Sequence, residues 1–166
     1  MQLIRCTQKL LKELRVKPAE VEPEAGYIGD WHANLLRFER RKCVLFTNSE
    51  TLYSIFIPGL KRPDFDRLDE IFRQSLFRRL RIEGFSQFQI EKALDEYLTL
   101  GFAKTNNRSV LGSMTDLSFQ LESHIGSSGG LSYIDLDGIN DQINRIPMGA
   151  LDYKYGIEAL KDKLVQ

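Results

Sequence analysis

The residues best suited to chemistry in this chain form a polar segment that leads into an apolar series with helical spacing. Backbone N–H groups at the start of a helix, together with a guanidinium, bind phosphate and other anions. We therefore predict a ligand-binding site at the Thr105–Ser113 junction. Its side chains would be Thr105, Asn106, Asn107, Arg108, Ser109 and Ser113.

The same segment allows a plainer interpretation. Asn, Thr and Ser are common in turns that cap helices, and Arg108 would then lie in solvent. A second Asn-Arg pair, Asn144-Arg145, resembles Asn107-Arg108 and predicts a two-arginine clamp in which Arg145 completes the anion site. Alternatively, Pro147 only begins a turn after Arg145.

His32 is the candidate catalytic residue. In a strand over Trp31–Phe38 it shares one face with Asn34, whereas Trp31, Ala33 and Leu35 point to the other. Such a histidine can act as a general base, or it can be a hydrogen-bonded structural residue. The other histidine, His124, is expected to be exposed late on a helix.

The residue types predict no metal site and no cofactor. With two histidines and two cysteines, the chain lacks the paired spacing of a zinc site. The segment Asp135–Asn140 lacks the glycine and glutamate positions of a calcium loop. No phosphate-binding or dinucleotide glycine motif is present. Cys6 and Cys43 lie in apolar segments and are expected to be buried free thiols.

Composition limits the class of protein. Of 166 residues, 42% are hydrophobic, and 23 basic residues balance 23 acidic ones. These values are typical of one globular domain over residues 1–166, and they give no global support for nucleic-acid or membrane affinity. No segment has the length and hydropathy of a membrane span or a signal peptide, so we expect a cytoplasmic protein.

Hydrophobic periodicity predicts both strands and helices. Strands are expected at Leu3–Cys6, Phe102–Thr105 and Leu131–Leu136, and at three consecutive segments between residues 31 and 57. Those three are Trp31–Phe38, Cys43–Thr47 and Thr51–Ile57, with Pro58-Gly59 ending the last. Helices are expected after Thr7, from Asp64 or Asp66 to Ile82, from Ser86 to a stop at Gly101, from Val110, and over Ile157–Leu164. The fold class is therefore α+β: an antiparallel β-meander packed against several helices in a single domain.

Several segments also carry a resemblance to a family of short bacterial proteins known only as a domain of unknown function. The segments are residues 5–11, 31–36, 41–48, 105–114 and 144–149, and the resemblance extends over nearly the whole chain. The resemblance implies a bacterial, cytosolic, single-domain protein. It implies no activity, so no catalytic residue follows from it.

Three functional hypotheses remain open from the sequence. The first is a binding protein for a phosphate-bearing ligand, a nucleotide or nucleic acid, at the Thr105–Ser113 junction. The second is a metal-independent hydrolase or ribonuclease with His32 as base and Arg108 stabilising charge in the transition state. The third is a protein-interaction module, one member of a two-component partner pair, which a large exposed apolar patch would favour.

Overall fold

The computed structural model describes residues 1–165, which form a five-stranded sheet covered by helices on both faces. The strands are β1 Gln2–Cys6, β2 Trp31–Phe38, β3 Arg41–Asn48, β4 Ser54–Leu60 and β5 Leu100–Lys104. The helices are α1 Gln8–Leu14, α2 Arg62–Phe65, α3 Leu68–Ile82, α4 Gln87–Glu96, α5 Arg108–Ser127, α6 Leu136–Ile143 and α7 Gly156–Leu164. Short 3₁₀ turns occur at Leu131–Tyr133 and Gly149–Leu151.

The sheet is mixed, with the spatial order β4-β3-β2-β1-β5. The antiparallel part is β2-β3-β4, as the short polar breaks predicted. β1, however, pairs in parallel with both β2 and β5. The prediction of a purely antiparallel meander was therefore wrong, because two strands that are distant in sequence join the meander through long connections, which only tertiary packing selects.

Each face of the sheet builds its own core. Alternate side chains of β2, namely Trp31, Ala33 and Leu35, lie in a first core with α1, α3, α4 and α7. The other face packs Cys43, Leu45 and Phe56 against α5 and α6 in a second core. One sheet serves both cores, so the chain fits a single α+β domain. Among the described helices, none has the length and hydropathy required to span a bilayer.

Local signals located several helices correctly. Ser86 and Gln89 form the predicted capping box: the Ser86 side chain accepts from Gln89 N, and Gln89 Oε1 accepts from Ser86 N. Both cysteines are buried and free, as predicted. The strand expected at Leu131–Leu136 is instead a 3₁₀ turn and the first residue of α6. Gly101 lies inside β5, since α4 ends at Glu96.

Two other boundaries also differ from the sequence expectations. The helix expected up to Ile82 is divided into α2 and α3 around Asp66 and Arg67. β4 continues through Pro58-Gly59 to Leu60. Pro58 is tolerated in this edge strand because its missing N–H can face away from the sheet. Gly59 has a φ of 68°, a left-handed conformation that glycine adopts without strain.

The outer edge of β4 is closed by a side chain of α6 and by that of Asn144, the C-cap residue of the same helix. Asn144 Oδ1 accepts from Ser54 N at 2.7 Å, and its Nδ2 donates to Ser54 O at 2.7 Å. Asn140 makes the same pair of bonds with the backbone of Phe56, at 2.7 and 3.1 Å. Residues i and i+4 of a helix rise about 6 Å, close to the spacing of residues i and i+2 in a strand. Two carboxamides on one helix therefore replace a neighbouring strand and protect this edge.

A buried ionic cluster joins α3 to α6. Arg79 is 2% exposed; its guanidinium donates to Tyr53 Oη at 3.0 Å and to Asp141 Oδ1 at 2.6 Å. The Glu83 carboxylate is equally buried and accepts from Arg145 Nη2 at 2.8 Å. Two cations and two carboxylates compensate each other, which is what makes charge burial tolerable here.

Candidate functional site

The Thr105–Ser109 segment lies at the carboxyl ends of β1 and β5. These strands are adjacent and parallel, with Cys6 paired to Lys104 at their common end. From this edge the chain leaves β1 into α1, which packs in the first core. It leaves β5 into α5, which packs in the second core on the opposite face. In open sheets, a crevice forms where neighbouring parallel strands send their connections to opposite faces, and ligands bind there.

Asn107 is the N-cap of α5. Its Oδ1 accepts from Ser109 N at 3.0 Å and from Val110 N at 3.2 Å. The capping interpretation of this segment is thus confirmed, and two first-turn N–H groups that an anion would use are already bonded. Arg108 is exposed, and within residues 1–165 it forms no ion pair.

The segments that end or begin at this edge are rich in basic residues, and Glu13, Asp30, Glu39 and Asp116 directly flank them. Residues 1–12, 31–38 and 100–115 contain no Asp or Glu. They contribute six basic side chains: Arg5, Lys9, Lys12, Arg37, Lys104 and Arg108. Arg5 is engaged, since its Nε donates to Asp30 Oδ2 at 2.9 Å and its Nη1 to Lys104 O at 3.3 Å. Lys9, Lys104 and Arg108 are exposed. Three exposed cations therefore lie on the elements that begin or end at this edge, and positive charge in this position attracts anions.

The structure separates two predicted ligand-binding residues from the others. Ser113 lies about 140° around α5 from Arg108 and lines a cavity with Ile146, Pro147 and Met148. Arg145 lies just after α6 and lines a groove with Gln120 and His124. Because Gln120 is about 18 Å along α5 from Arg108, and because Arg145 already pairs with Glu83, the two arginines do not form the predicted clamp.

His32 points to the same face of the sheet as α5, but it does not reach the junction. It belongs to a row of neighbours across the sheet, in which Arg5 pairs with His32, His32 with Thr47, and Thr47 with Ser54. Its ring is 1% exposed, with Nδ1 at 2.8 Å from Ser49 Oγ. Nε2 is buried and has no hydrogen-bond partner among the described residues. A side chain sealed in this way has no path to a substrate, so its geometry favours the structural interpretation over the catalytic one. His124, expected to be exposed, is only partly so.

Comparison with known proteins places the chain in a family. A family described as a domain of unknown function, DUF6933, matches residues 3–159. The chain belongs to the DUF6933 family. No curated protein and no solved structure matches the chain.

The predicted site residues did not include Lys9, Lys104 and Asn34, which this DUF6933 domain places on the elements at the carboxyl edge of β1 and β5. Asn34 lies beyond the end of β1, and its Oδ1 accepts from Thr7 Oγ1 at 2.8 Å, which ties β2 to the start of α1. The signal that could have found the lysines is the absence of acidic residues from three separate segments. That signal has meaning only when the three segments are known to meet.

We expect the stability of this DUF6933 domain to depend on the protonation of His32. Burial lowers the pKa of His32 from 6.5 to about 4, and Asp30 and Arg5 act in smaller, opposite directions. The unfolded chain therefore takes up a proton at a higher pH than the folded one. Stability is complete above pH 6.5 and falls as the pH drops from 6.5 to about 4. Between pH 8 and pH 5 the loss from this group is about 2 kcal/mol.

Urea unfolding of wild type and His32→Gln at pH 8 and pH 5 measures this contribution. Carboxylates shared by both proteins cancel in the comparison, so the variant should lose less stability than wild type over this interval. NMR titration of His124→Gln, in which His32 is the only histidine, gives the pKa directly. Equal losses in the two proteins, together with a His32 pKa near 6.5, would contradict the expectation.

Proposed function

We propose that this protein binds a phosphate-bearing ligand, a nucleotide or nucleic acid, at the carboxyl edge of β1 and β5. The observation that carries the proposal is the combination of a topological crossing point with a set of cations that no carboxylate of the same segments neutralises. Arg108 supplies a planar donor for phosphate oxygens. Thr105, Asn106 and Ser109 supply neutral polar groups beside it.

Side chains hold the anion in this proposal. Asn107 already accepts hydrogen bonds from the N–H groups of Ser109 and Val110. Few backbone N–H groups at the start of α5 therefore remain to bind an anion. Lys9 and Lys104 approach from the neighbouring elements and add charge without a fixed geometry. Affinity should therefore fall as the salt concentration rises, most steeply for nucleic acid, which contacts several cations at once.

A thermal-shift screen tests the proposal. The ligands are nucleotides, short RNA and DNA, and inorganic phosphate, and each is measured on wild type and Arg108→Ala. A ligand at 100 times its dissociation constant raises the free energy of unfolding by roughly 2.7 kcal/mol. We expect the shift to shrink in Arg108→Ala, because its phosphate contact is lost.

Arg81→Ala is the matched control. Arg81 is an exposed arginine of α3 whose guanidinium lies over the Phe77 ring, away from the edge. The Arg81→Ala variant should retain the full ligand-induced shift in melting temperature. A shift that is equal in both variants, or the absence of a shift with every phosphate-bearing ligand, would refute binding at this edge.

A further inference from the structure

A small cavity lies between β2 and α5, next to the edge described above. Its volume is 240 Å³, and its walls include Asn34 and Arg37 of β2 and Thr115, Ser118, Phe119 and Glu122 of α5. Ligand pockets for drug-sized molecules span roughly 300–1,000 Å³, so this cavity has room for one ring system and not for a whole nucleotide. Asn34 lines the cavity and also contacts Thr7 at the start of α1, so one side chain borders both the cavity and the edge.

The cavity and Arg108 share one face of α5. Residues 108, 115, 119 and 122 follow one another at spacings of seven, four and three, which places their side chains on the same stripe of the helix. Thr115 is about 10 Å along the axis from Arg108. This separation suits a ligand with an anionic group at one end and a ring at the other.

One wall of the cavity is an unpaired strand edge. Thr7 N donates to Ala33 O at 3.1 Å, so the backbone of Ala33 faces β1. Because the direction of N–H and C=O groups alternates along a strand, those of Leu35 and Arg37 face the same way. β1 ends at Cys6, which pairs with Ala33. Beyond that point, no described strand pairs with this side of β2, and Arg37 presents one donor and one acceptor there.

The other polar groups supply mainly acceptors. Thr115 and Ser118 donate their hydroxyl protons to Leu111 O and Met114 O, which leaves oxygen lone pairs available. Glu122 adds a carboxylate, which would repel phosphate at this end of the groove. Asn34 Nδ2 has no acceptor among residues 1–165 and remains a donor. Phe119 is 65% exposed and presents its ring to a ligand.

We infer that this cavity takes the nucleobase of the ligand, with the base stacked on Phe119 and its amino group directed to Glu122 or to the free carbonyl of Arg37. Aromatic rings bind bases by stacking, and a mixed set of donors and acceptors reads their edges. The inference rests on the proposed function, because the phosphate of the same ligand occupies the Arg108 end. The pocket is expected to prefer adenine, guanine or cytosine, which carry exocyclic amino groups, to uracil, which has none.

Calorimetric titration with AMP, GMP, CMP, UMP and ribose 5-phosphate tests the inference on wild type, Phe119→Ala, Glu122→Gln and Arg108→Ala. Loss of one stacking contact costs roughly ten-fold or more in affinity, so Phe119→Ala should weaken the binding of AMP, GMP and CMP by that factor. It should leave ribose 5-phosphate unchanged. Glu122→Gln should reduce the preference over UMP. Phe88→Ala removes an equally exposed phenylalanine of α4, 71% exposed, and should have no effect.

The outcomes separate the two proposals. If nucleotides and ribose 5-phosphate bind equally well, lose affinity in Arg108→Ala and are indifferent to Phe119→Ala, the edge binds phosphate and the base pocket is refuted. If none of the five ligands binds wild type, this inference fails, whereas the proposed function fails only if RNA, DNA and inorganic phosphate also give no thermal shift. An extended peptide that protects the Leu35 and Arg37 amides from hydrogen exchange, with no nucleotide effect at Phe119, would also overturn the inference.

Discussion

Replacing Arg79 with methionine is expected to lower the free energy of unfolding by about 3–5 kcal/mol, the usual loss when one member of a buried ion pair is removed. Methionine fills a similar volume, so little of the loss comes from a cavity. The substitution leaves Tyr53 Oη and Asp141 without their guanidinium partner. It also leaves the Glu83 carboxylate, 2% exposed, with Arg145 as its remaining cation.

The neighbouring arginine gives the control. Arg78 forms an exposed pair with Asp137 at 2.6 Å, and exposed pairs contribute little because water and salt screen them. Arg78→Met should therefore shift the urea midpoint much less than Arg79→Met. The double variant Arg79→Met/Glu83→Leu removes both charges and should recover part of the loss. Equal midpoints for the two single arginine variants would contradict a stabilising role for the buried cluster.

Replacing Asn144 with leucine is expected to lower the free energy of unfolding by about 3 kcal/mol. Leucine resembles asparagine in shape but cannot bond the N–H and C=O of Ser54, which are buried with Asn144 itself only 1% exposed. A buried donor or acceptor left without a partner costs about 1–3 kcal/mol. The stability is lost at the edge of β4, because the N–H and C=O groups of Ser54 have no other partner among the described residues than the Asn144 carboxamide.

Gln142→Leu provides the same exchange of amide for aliphatic side chain two residues earlier on α6, at an exposed position. It should leave the free energy of unfolding nearly unchanged, since surface substitutions of this kind usually fall within about 0.5 kcal/mol. Hydrogen exchange should show the Ser54 amide losing protection in Asn144→Leu alone. Equal protection of Ser54 in both variants would show that the edge has another source of stability.

The elements with short-range signals were predictable. Alternation located β2 with its true bounds, and the Ser86–Gln89 capping box located the start of α4, because both signals depend on residues a few positions apart. Errors occurred where distant contacts decide the outcome. The segment Leu131–Leu136 alternates like a strand, but it forms a 3₁₀ turn and the start of α6, a helix that packs beside β4.

The candidate site was predicted in part. The polar junction and its helix start were located from residue types, and Asn107 is the N-cap of α5. The clamp with Arg145 was wrong, because similar Asn-Arg pairs in sequence say nothing about distance in space. Asn144 in that second pair closes a sheet edge, and Arg145 completes an ionic cluster. Phe119 and Asn34 carried no local signal of binding, since each lies in a regular element whose partner is remote in the chain.

The sequence by itself determined that this is an α+β chain with a meander of three strands, buried free thiols and a capped polar junction before a long helix. These features depend on side-chain periodicity and on hydrogen bonds between near neighbours. Only the tertiary structure decided that β1 lies between β2 and β5, and that α1 and α5 leave this edge toward opposite faces of the sheet. The physical reason is that parallel pairing joins residues up to about a hundred positions apart, such as Cys6 and Lys104, and such contacts depend on the packing of the whole chain.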